Sequence, residues 1–545
     1  MPFLPKSVNM IRFFKKSNSL IITAGVMSIV CFILLGLLLW RGAYPTPFKD
    51  EFYFVSLYND ALKGVLSFDE LFRPHNGHIY VLLKLLLWAV VYFRIDLRVL
   101  MYAQSILISL TAGLLAYVVY RDRESRLGLV TAIIVALAVC SARQYENLYW
   151  AMQISFAAMM FFTVVAFVFT ERFARNNNLG SAGIAMVLAF LAMLSAGAGI
   201  ISFVLVVIAI YMTSGSNRRT KAISIVVTIV GLLVFILPQV STLENIKNAQ
   251  SDTTLLSVGN IAVYLLAYFA NTIFSFSVRG DDLMSLALGI LLLTVTLWLL
   301  IRLRHDWRNN LLPFLLVAFA LATATLISVA RLKNGIWQPN APRYYPLALP
   351  LLIGAMLLLF RVGRLMLFDR VIIGVFLISM LTSSVYAYLV EWKTTPYRLR
   401  SLSMAHISLC SGQTVGLAFD GDIEQTNLDI MRRAFCKPED IVQSRKITRA
   451  LLFLKDFGPR DIYAGKDFNV QPDGMSAIWA NTENATPTTV LVLGGEQLRS
   501  TVNEHGNLVT AGVPRHLCAQ KGEYTLYLFD PVTGKKSNEL RFVVR

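Results

Sequence analysis

The chain predicts a polytopic α-helical membrane protein with about 11 transmembrane helices, followed by a soluble α+β domain that ends in a β-sandwich. Three observations carry that expectation. Of 545 residues, 56% are apolar and only 15% charged, a balance that excludes an ordinary soluble enzyme. Long apolar runs recur as far as about residue 390 and then stop. The net charge of +17 is equally uneven: from Glu391 onward 19 Lys and Arg face 17 Asp and Glu, so nearly all the excess lies in the apolar part. A basic membrane half implies cytoplasmic charge clamps and anionic headgroups or phosphates as neighbours. Nucleic acid is excluded as a partner, because no basic run with interleaved aromatics stands apart from the apolar segments.

The first span is Ser19–Trp40, preceded by Lys6, Arg12, Lys15 and Lys16. It lacks a small-residue cleavage site and reads as a retained helix, not a removed signal. Further spans fall at Leu97–Tyr120, Leu127–Ala142, Tyr149–Thr170, Ser181–Ser195, Gly199–Thr213 and Lys221–Val240. Four more follow at Leu283–Ile301, Leu311–Ala330, Tyr344–Phe360 and Val371–Val390. Alternate loops carry Arg121/Arg123/Arg126, Arg172/Arg175, Arg218/Arg219/Lys221, Arg302/Arg304/Arg308 and Arg361/Arg364/Arg370. Eleven crossings put all of these on one side, as positive-inside bias requires. The N-terminus is then cytoplasmic, and Asp50, Glu146, Arg343 and the C-terminal part lie on the outer face.

His78–Phe93 is apolar apart from Lys84, and counting it as a span would invert every later loop. It reads instead as an interfacial or re-entrant helix at the outer surface. The same holds for Ile261–Phe276, which precedes Arg279-Gly280-Asp281-Asp282.

Beyond the membrane part (1–390), residues 391–464 read as a helical connector, with helices at Asn427–Arg433 and Pro438–Leu454. Residues 465–545 read as an Ig-like β-sandwich, with short alternating strands at Thr489–Leu493, Gly506–Thr510, Tyr524–Phe529 and Glu539–Val544. Cys410 and Cys436 flank the first connector helix and suit a disulfide if this part lies in an oxidising compartment. Cys31 and Cys140 lie in spans, and Cys518 is left unpaired.

The chemistry-bearing residues gather in the outer segments. Asp50-Glu51 follows the first span, and two adjacent carboxylates at a membrane surface suit proton transfer or cation binding. They also suit the N-terminus of a short helix, Glu51–Lys63. Then come Phe72-Arg73-Pro74-His75-Asn76-Gly77-His78 and Arg143-Gln144-Tyr145-Glu146-Asn147-Leu148-Tyr149-Trp150, with Gln153 one turn on. Glu146 and Gln153 stand two helical turns apart and share one face, where hydrogen bonds to neighbouring helices are the plainer alternative. Ser195-Ala196-Gly197-Ala198-Gly199 reads as a tight turn or close packing. Arg331, Lys333 and Arg343 sit on the outer side against the positive-inside pattern, which favours a phosphate partner. Two histidines alone are no metal site.

Asp50-Glu51, His75-Asn76-Gly77-His78, the Gln144–Trp150 run with Gln153, and Arg343-Tyr344 resemble the GT-C glycosyltransferases. That superfamily includes aminoarabinose transferases and protein O-mannosyltransferases. Within it the chain is similar to bacterial glucosyltransferases that modify O-antigen and convert serotype. The resemblance covers residues 1–390 in layout. It implies a multi-pass protein of the bacterial inner membrane with a periplasmic C-terminal part. It also implies transfer of a sugar, glucose among the candidates, from a polyprenyl-phosphate donor to a cell-surface glycan such as O-antigen.

For that reaction Asp50 is the expected general base, with Glu51 second. Arg343, Tyr344, Lys333, Arg331, His75 and His78 are expected around the donor phosphate, whose charge grows as the glycosidic bond breaks. Asn76, Glu146, Asn147 and Gln153 would orient sugar hydroxyls, and Tyr149 or Trp150 would offer a ring face. A single displacement with one base predicts inversion; a nearby second carboxylate leaves a covalent route open. No cofactor is called for, and a divalent metal stays open without any strict ligand spacing. The expected partners are the lipid-linked sugar, the glycan acceptor and membrane lipids. A flippase or other transporter of lipid-linked sugars would show half-chain symmetry or charges in mid-span, and little of either is present. A polysaccharide polymerase would use outer arginines without needing an acid directly after the first helix.

Overall fold

The computed structural model describes residues 6–75, 78–215, 218–239, 258–273, 283–332, 338–362, 366–412, 417, 423–440, 452–471, 474–503 and 506–545. Among them nine helices are long and apolar enough to cross a membrane. They are Leu20–Gly42, Arg98–Asp122, Arg126–Gln144, Ala151–Asn176, Arg218–Ile236, Leu286–Asp306, Leu311–Arg331, Pro342–Arg361 and Leu367–Pro396. The chain is thus a polytopic helical membrane protein with a β-rich C-terminal part. Two of the eleven expected spans are short: the helices Leu179–Ser195 and Gly199–Thr213 have 17 and 15 residues. That is about 25 Å and 23 Å of helix against a hydrocarbon layer of about 30 Å.

The run expected to lie at the surface forms a helix of 12 residues, Val81–Tyr92, about 18 Å long and too short to cross. Lys84, which interrupts it, is buried. Its Nζ donates to the carbonyls of Glu70 (2.6 Å) and Arg73 (2.5 Å). Burial pulls its pKa down to about 8, with the Glu70 charge opposing that drop. Lys84 is therefore a tether between this helix and the Phe68–Phe72 turn before it. The Ile261–Phe276 run forms the helix Val258–Ile273, and Arg279–Asp282 lie outside the described residues.

The chain divides into two compact units. The first comprises residues 1–43, 65–89 and 98–395; the second comprises 44–64, 90–97 and 396–545. This differs from a single membrane domain ending near residue 390, because two pieces of the first loop group with the C-terminal part. Their contacts explain it. The helix Val55–Leu62 packs on Gln425–Phe435, with the Tyr58 ring edge-on to Phe435 at 4.9 Å. Arg94 donates to the Arg433 carbonyl.

Among the described residues the second unit contains nine strands: β1 (Phe453–Gly458), β2 (Asp461–Ile462), β3 (Ser476–Glu483), β4 (Val490–Leu493), β5 (Glu496–Gln497), β6 (Ser500–Val502), β7 (Leu508–Val513), β8 (Gly522–Asp530) and β9 (Lys535–Val544). They form two sheets, β1-β3-β7-β6 and β2-β9-β8-β4-β5, antiparallel throughout except between β2 and β9. Leu454, Ile478 and Val509 of one sheet and Leu491, Leu526 and Phe542 of the other share one apolar core. Burial alternates along β3, the period of a strand with one wet face. β1 and β2 lie in the stretch expected to be a helical connector. Phe453-Leu454-Lys455-Asp456-Phe457 has buried Leu454 and Phe457 with exposed Phe453 and Lys455, and pairing with β3 overrides its helix-compatible composition. Cys410 and Cys436 form a disulfide, and Cys31, Cys140 and Cys518 are free and buried.

Candidate functional site

Within the first unit, two short segments that begin helices carry the polar residues picked out from the sequence. The segment Ala142–Gln144 ends the Arg126–Val139 helix and leads to the turn Glu146–Tyr149; Pro342–Tyr344 opens the helix Tyr345–Arg361. Pro342 suits that opening, since its missing N–H would be unpaired in a first turn anyway. The two segments touch. Arg343 Nη1 meets Glu146 Oε2 at 2.9 Å, and Asn147 Nδ2 donates to the Arg343 carbonyl at 3.2 Å. Glu146, Asn147, Arg343 and Tyr344, expected to converge from loops nearly 200 positions apart, are thus one cluster.

A second arginine stands beside it. The Arg143 guanidinium lies over the Tyr345 ring at 4.9 Å, as that of Arg343 lies over Tyr344 at 5.2 Å. Two cations therefore sit on two consecutive tyrosines. Their other contacts differ. Arg343 is paired with a carboxylate, whereas Arg143 donates to neutral oxygens, Ser383 Oγ at 2.9 Å and Asn271 Oδ1 at 2.5 Å. No carboxylate among the described residues ion-pairs with Arg143. Asn271 is fixed in turn by its Nδ2 donating to the Pro339 carbonyl at 2.9 Å.

Several buried polar atoms of the first unit lack a partner among the described residues. The hydroxyls of Tyr264 and Tyr268, Asn147 Oδ1, Gln153 Oε1 and Gln338 Oε1 are buried without a hydrogen-bond partner. Tyr268 packs against Tyr344 at 6.4 Å, and Tyr264 lies within electrostatic reach of Tyr344, Arg331 and Arg343. Arg331 thereby joins the same end of the bundle. An orphaned buried polar atom is unfavourable by about 1–3 kcal/mol unless something else satisfies it, and those of Tyr264, Tyr268 and Asn147 belong to side chains that meet Tyr344 or Arg343. Beside Asn147 and Gln144 lies a small apolar cavity bordered by Ile108, Phe156, Met160, Leu316 and Pro350.

The remaining expected residues fall elsewhere. Gln153 and Trp150 are buried on the Glu146 side of the same turn. Asn76 and Lys333 lie outside the described residues. His75 and His78 exchange both backbone hydrogen bonds at 2.9 Å, and the His78 ring packs on Tyr80 at 5.2 Å. A β-carbon at Gly197 would overlap the His78 imidazole, so close packing is what that glycine serves. Asp50 and Glu51 sit in a 3-10 turn, Lys49–Phe54, which belongs to the second unit. Glu51 is buried and its carboxylate accepts the Phe48 N–H at 2.8 Å. That is the capping role weighed above. The Tyr58 hydroxyl donates to the Glu51 carbonyl at 3.0 Å, and burial, reinforced by the Glu51 charge, pushes its pKa up. Asp50 is half-buried at the turn's start.

The other end of the Tyr345–Arg361 helix carries a second charge cluster. Arg361 meets Asp122 and, at 2.7 Å, Glu171; Arg121 meets Asp122 at 2.9 Å and Glu171 at 3.1 Å; Arg175 meets Glu171 at 3.2 Å. Three of the arginine-bearing loops expected on one side thus converge on two carboxylates.

Sequence reasoning missed Arg143, Tyr264, Tyr268, Asn271 and Ser383 as site residues. The signal for Arg143 was available, because it too is a cation in a segment that the positive-inside pattern assigns to the outer face. The tyrosines and Asn271 read as parts of apolar runs and carry no local signal. No protein-family model matches the chain, and no curated protein matches it either.

Proposed function

We propose that the chain is a membrane glycosyltransferase of GT-C type that moves a sugar from a polyprenyl-phosphate donor to a cell-surface glycan such as O-antigen. The observation that carries this is the pair of arginines stacked on Tyr344 and Tyr345, one of them without a carboxylate partner. A cation held by neutral acceptors and a ring face is stabilised further by an incoming anion. The lipid phosphate of the donor supplies that charge, and its charge grows as the glycosidic bond breaks, so fixed cations lower the barrier more than they tighten ground-state binding. Arg143 and Arg343 hold the phosphate, with Tyr344 beneath and Arg331 behind. Lys333, His75 and His78 are secondary cations. Glu146, Asn147 and Gln153, with Asn76, orient sugar hydroxyls; Trp150 offers a ring. The apolar cavity beside Asn147 takes the first part of the isoprenoid chain.

The acceptor hydroxyl needs a base, and Asp50 fills that role, while Glu51 serves the turn that presents it. One base and direct displacement give inversion. In this reading eleven helices cross the bacterial inner membrane with a cytoplasmic N-terminus, and the periplasmic C-terminal part ends in an Ig-like β-sandwich. No cofactor is called for in this reading, and a divalent metal stays open.

The test is chemical. Glycan purified from cells carrying wild type is compared with that from cells carrying Asp50→Asn. The expected result is a variant present in the membrane at wild-type level and glycan without the added sugar. Fully modified glycan from Asp50→Asn would assign the base elsewhere.

A further inference from the structure

The strongest unassigned cluster lies in the second unit, where the end of the Leu367–Ser411 helix meets the end of Gln425–Phe435. His406 and Cys410 are four residues apart on one helical face, and Cys436 and Asp440 repeat the same spacing on the other side of the disulfide. His406 Nε2 lies 3.5 Å from Cys410 Sγ and 3.4 Å from Asp440 Oδ2. The three ligand atoms lie within 4.8 Å of one another. His406 is 3% exposed, and its other ring nitrogen, Nδ1, is buried without a hydrogen-bond partner.

We propose that the reduced form of the Cys410–Cys436 pair holds a Zn²⁺ ion, ligated by both thiolates, His406 Nε2 and an Asp440 carboxylate oxygen. The separations carry this. Bonds of about 2.0 Å to nitrogen or oxygen and about 2.3 Å to sulfur set tetrahedron edges of about 3.3–3.7 Å, and the N···S and N···O separations of 3.5 and 3.4 Å already have that size. Three electron-rich atoms converge on one point, an arrangement that a cation between them satisfies.

The chemistry balances in two steps. A dithiol reductant gives two electrons and two protons to the disulfide, becoming a disulfide itself and leaving Cys410 and Cys436 as thiols. Zinc then displaces the two thiol protons to solvent as two Zn–S bonds form. The same two helix ends are thereby clasped in either redox state, covalently when oxidised and through metal when reduced. This holds whatever reaction the membrane unit performs.

The test uses full-length protein in detergent, reduced with a phosphine and freed of metal, then titrated with Co²⁺ and read by its d–d and thiolate charge-transfer absorption. Competition with Zn²⁺ follows. Reduced wild type should bind one ion per chain in a tetrahedral spectrum that Zn²⁺ abolishes. The unreduced protein and the Cys410→Ser/Cys436→Ser variant, which keeps Cys31, Cys140 and Cys518, should show no such spectrum. His406→Gln and Asp440→Asn should each weaken binding at least tenfold. Asp440 is the more exposed of the two, so Asp440→Asn decides the matter if His406→Gln fails to fold. Equal metal uptake by reduced wild type and the double-serine variant would overturn the proposal. So would wild-type affinity in Asp440→Asn.

Discussion

The helix Tyr345–Arg361 has 17 residues, about 25 Å, and joins two charge clusters of opposite design. At its C-terminal end each arginine touches a carboxylate, and Glu171, 2% exposed, is shared by Arg121, Arg175 and Arg361. At its N-terminal end, among the described residues, Arg343 has Glu146, Arg143 has only neutral oxygens and a ring, and buried hydroxyls and amide oxygens stand without partners. The lesson is about completeness. A closed ion network binds helices together and has nothing left to offer a ligand, whereas an open one holds binding capacity in reserve at a cost in stability.

The largest effect that would break this contrast is on folding. Glu171→Ala leaves three arginines facing a single acid in a buried setting, and breaking such a network is worth about 3–5 kcal/mol. A drop of many degrees in the thermal aggregation midpoint is expected, with donor binding per folded molecule unchanged. If Glu171→Ala left stability intact but abolished donor binding, the roles of the two ends would be reversed.

A smaller effect sharpens the open end. Glu146→Gln removes the counter-charge of Arg343 and leaves a second cation for the phosphate. Binding of a short-chain prenyl phosphate should tighten about fivefold, the equivalent of the ~1 kcal/mol of a half-exposed ion pair. Unchanged or weaker binding, measured by calorimetry in nanodiscs, would mean that the pair is structural like its counterpart.

The smallest effect separates both ends from the second unit. Burial holds the His406 pKa below its ordinary value of 6.5, so the folded state binds fewer protons than the unfolded one just below that value. Its stabilising contribution is full above pH 6.5 and declines as pH falls from there toward the folded-state pKa. The melting point of the second unit should fall over that window, and His406→Gln should flatten the slope. An identical slope in the variant would assign the titration to another group.

Much of this layout was legible from sequence because hydrophobic length is a one-dimensional signal. Ser19–Trp40, Leu311–Ala330 and Val371–Val390 each became long apolar helices, and the His78–Phe93 run, kept out of the spans because counting it would invert every later loop, became a helix of 12 residues. Glu146, Asn147 and Arg343 were found together because polar residues in apolar surroundings stand out. The turn caps were less visible: Glu51 reads as an acid with chemical potential until its carboxylate is seen on the Phe48 N–H. The grouping of residues 44–64 and 90–97 with the C-terminal unit was invisible, since the Tyr58–Phe435 contact spans more than two thirds of the chain. Tyr264, Tyr268 and Asn271 were hidden for the same reason, as their meaning comes from helices distant in sequence.

Arg143 decides the matter most directly. Wild type and Arg143→Gln, reconstituted in proteoliposomes, are given a polyprenyl-phosphate hexose with a labelled sugar and a glycan acceptor, and release of polyprenyl phosphate is followed with time. Wild type should turn over the donor and the variant should be slower by about 100-fold, the usual loss when a group stabilising developing charge is removed. Equal turnover by the two proteins, or none by a folded wild type, would contradict a lipid-phosphate site at the open end of the bundle.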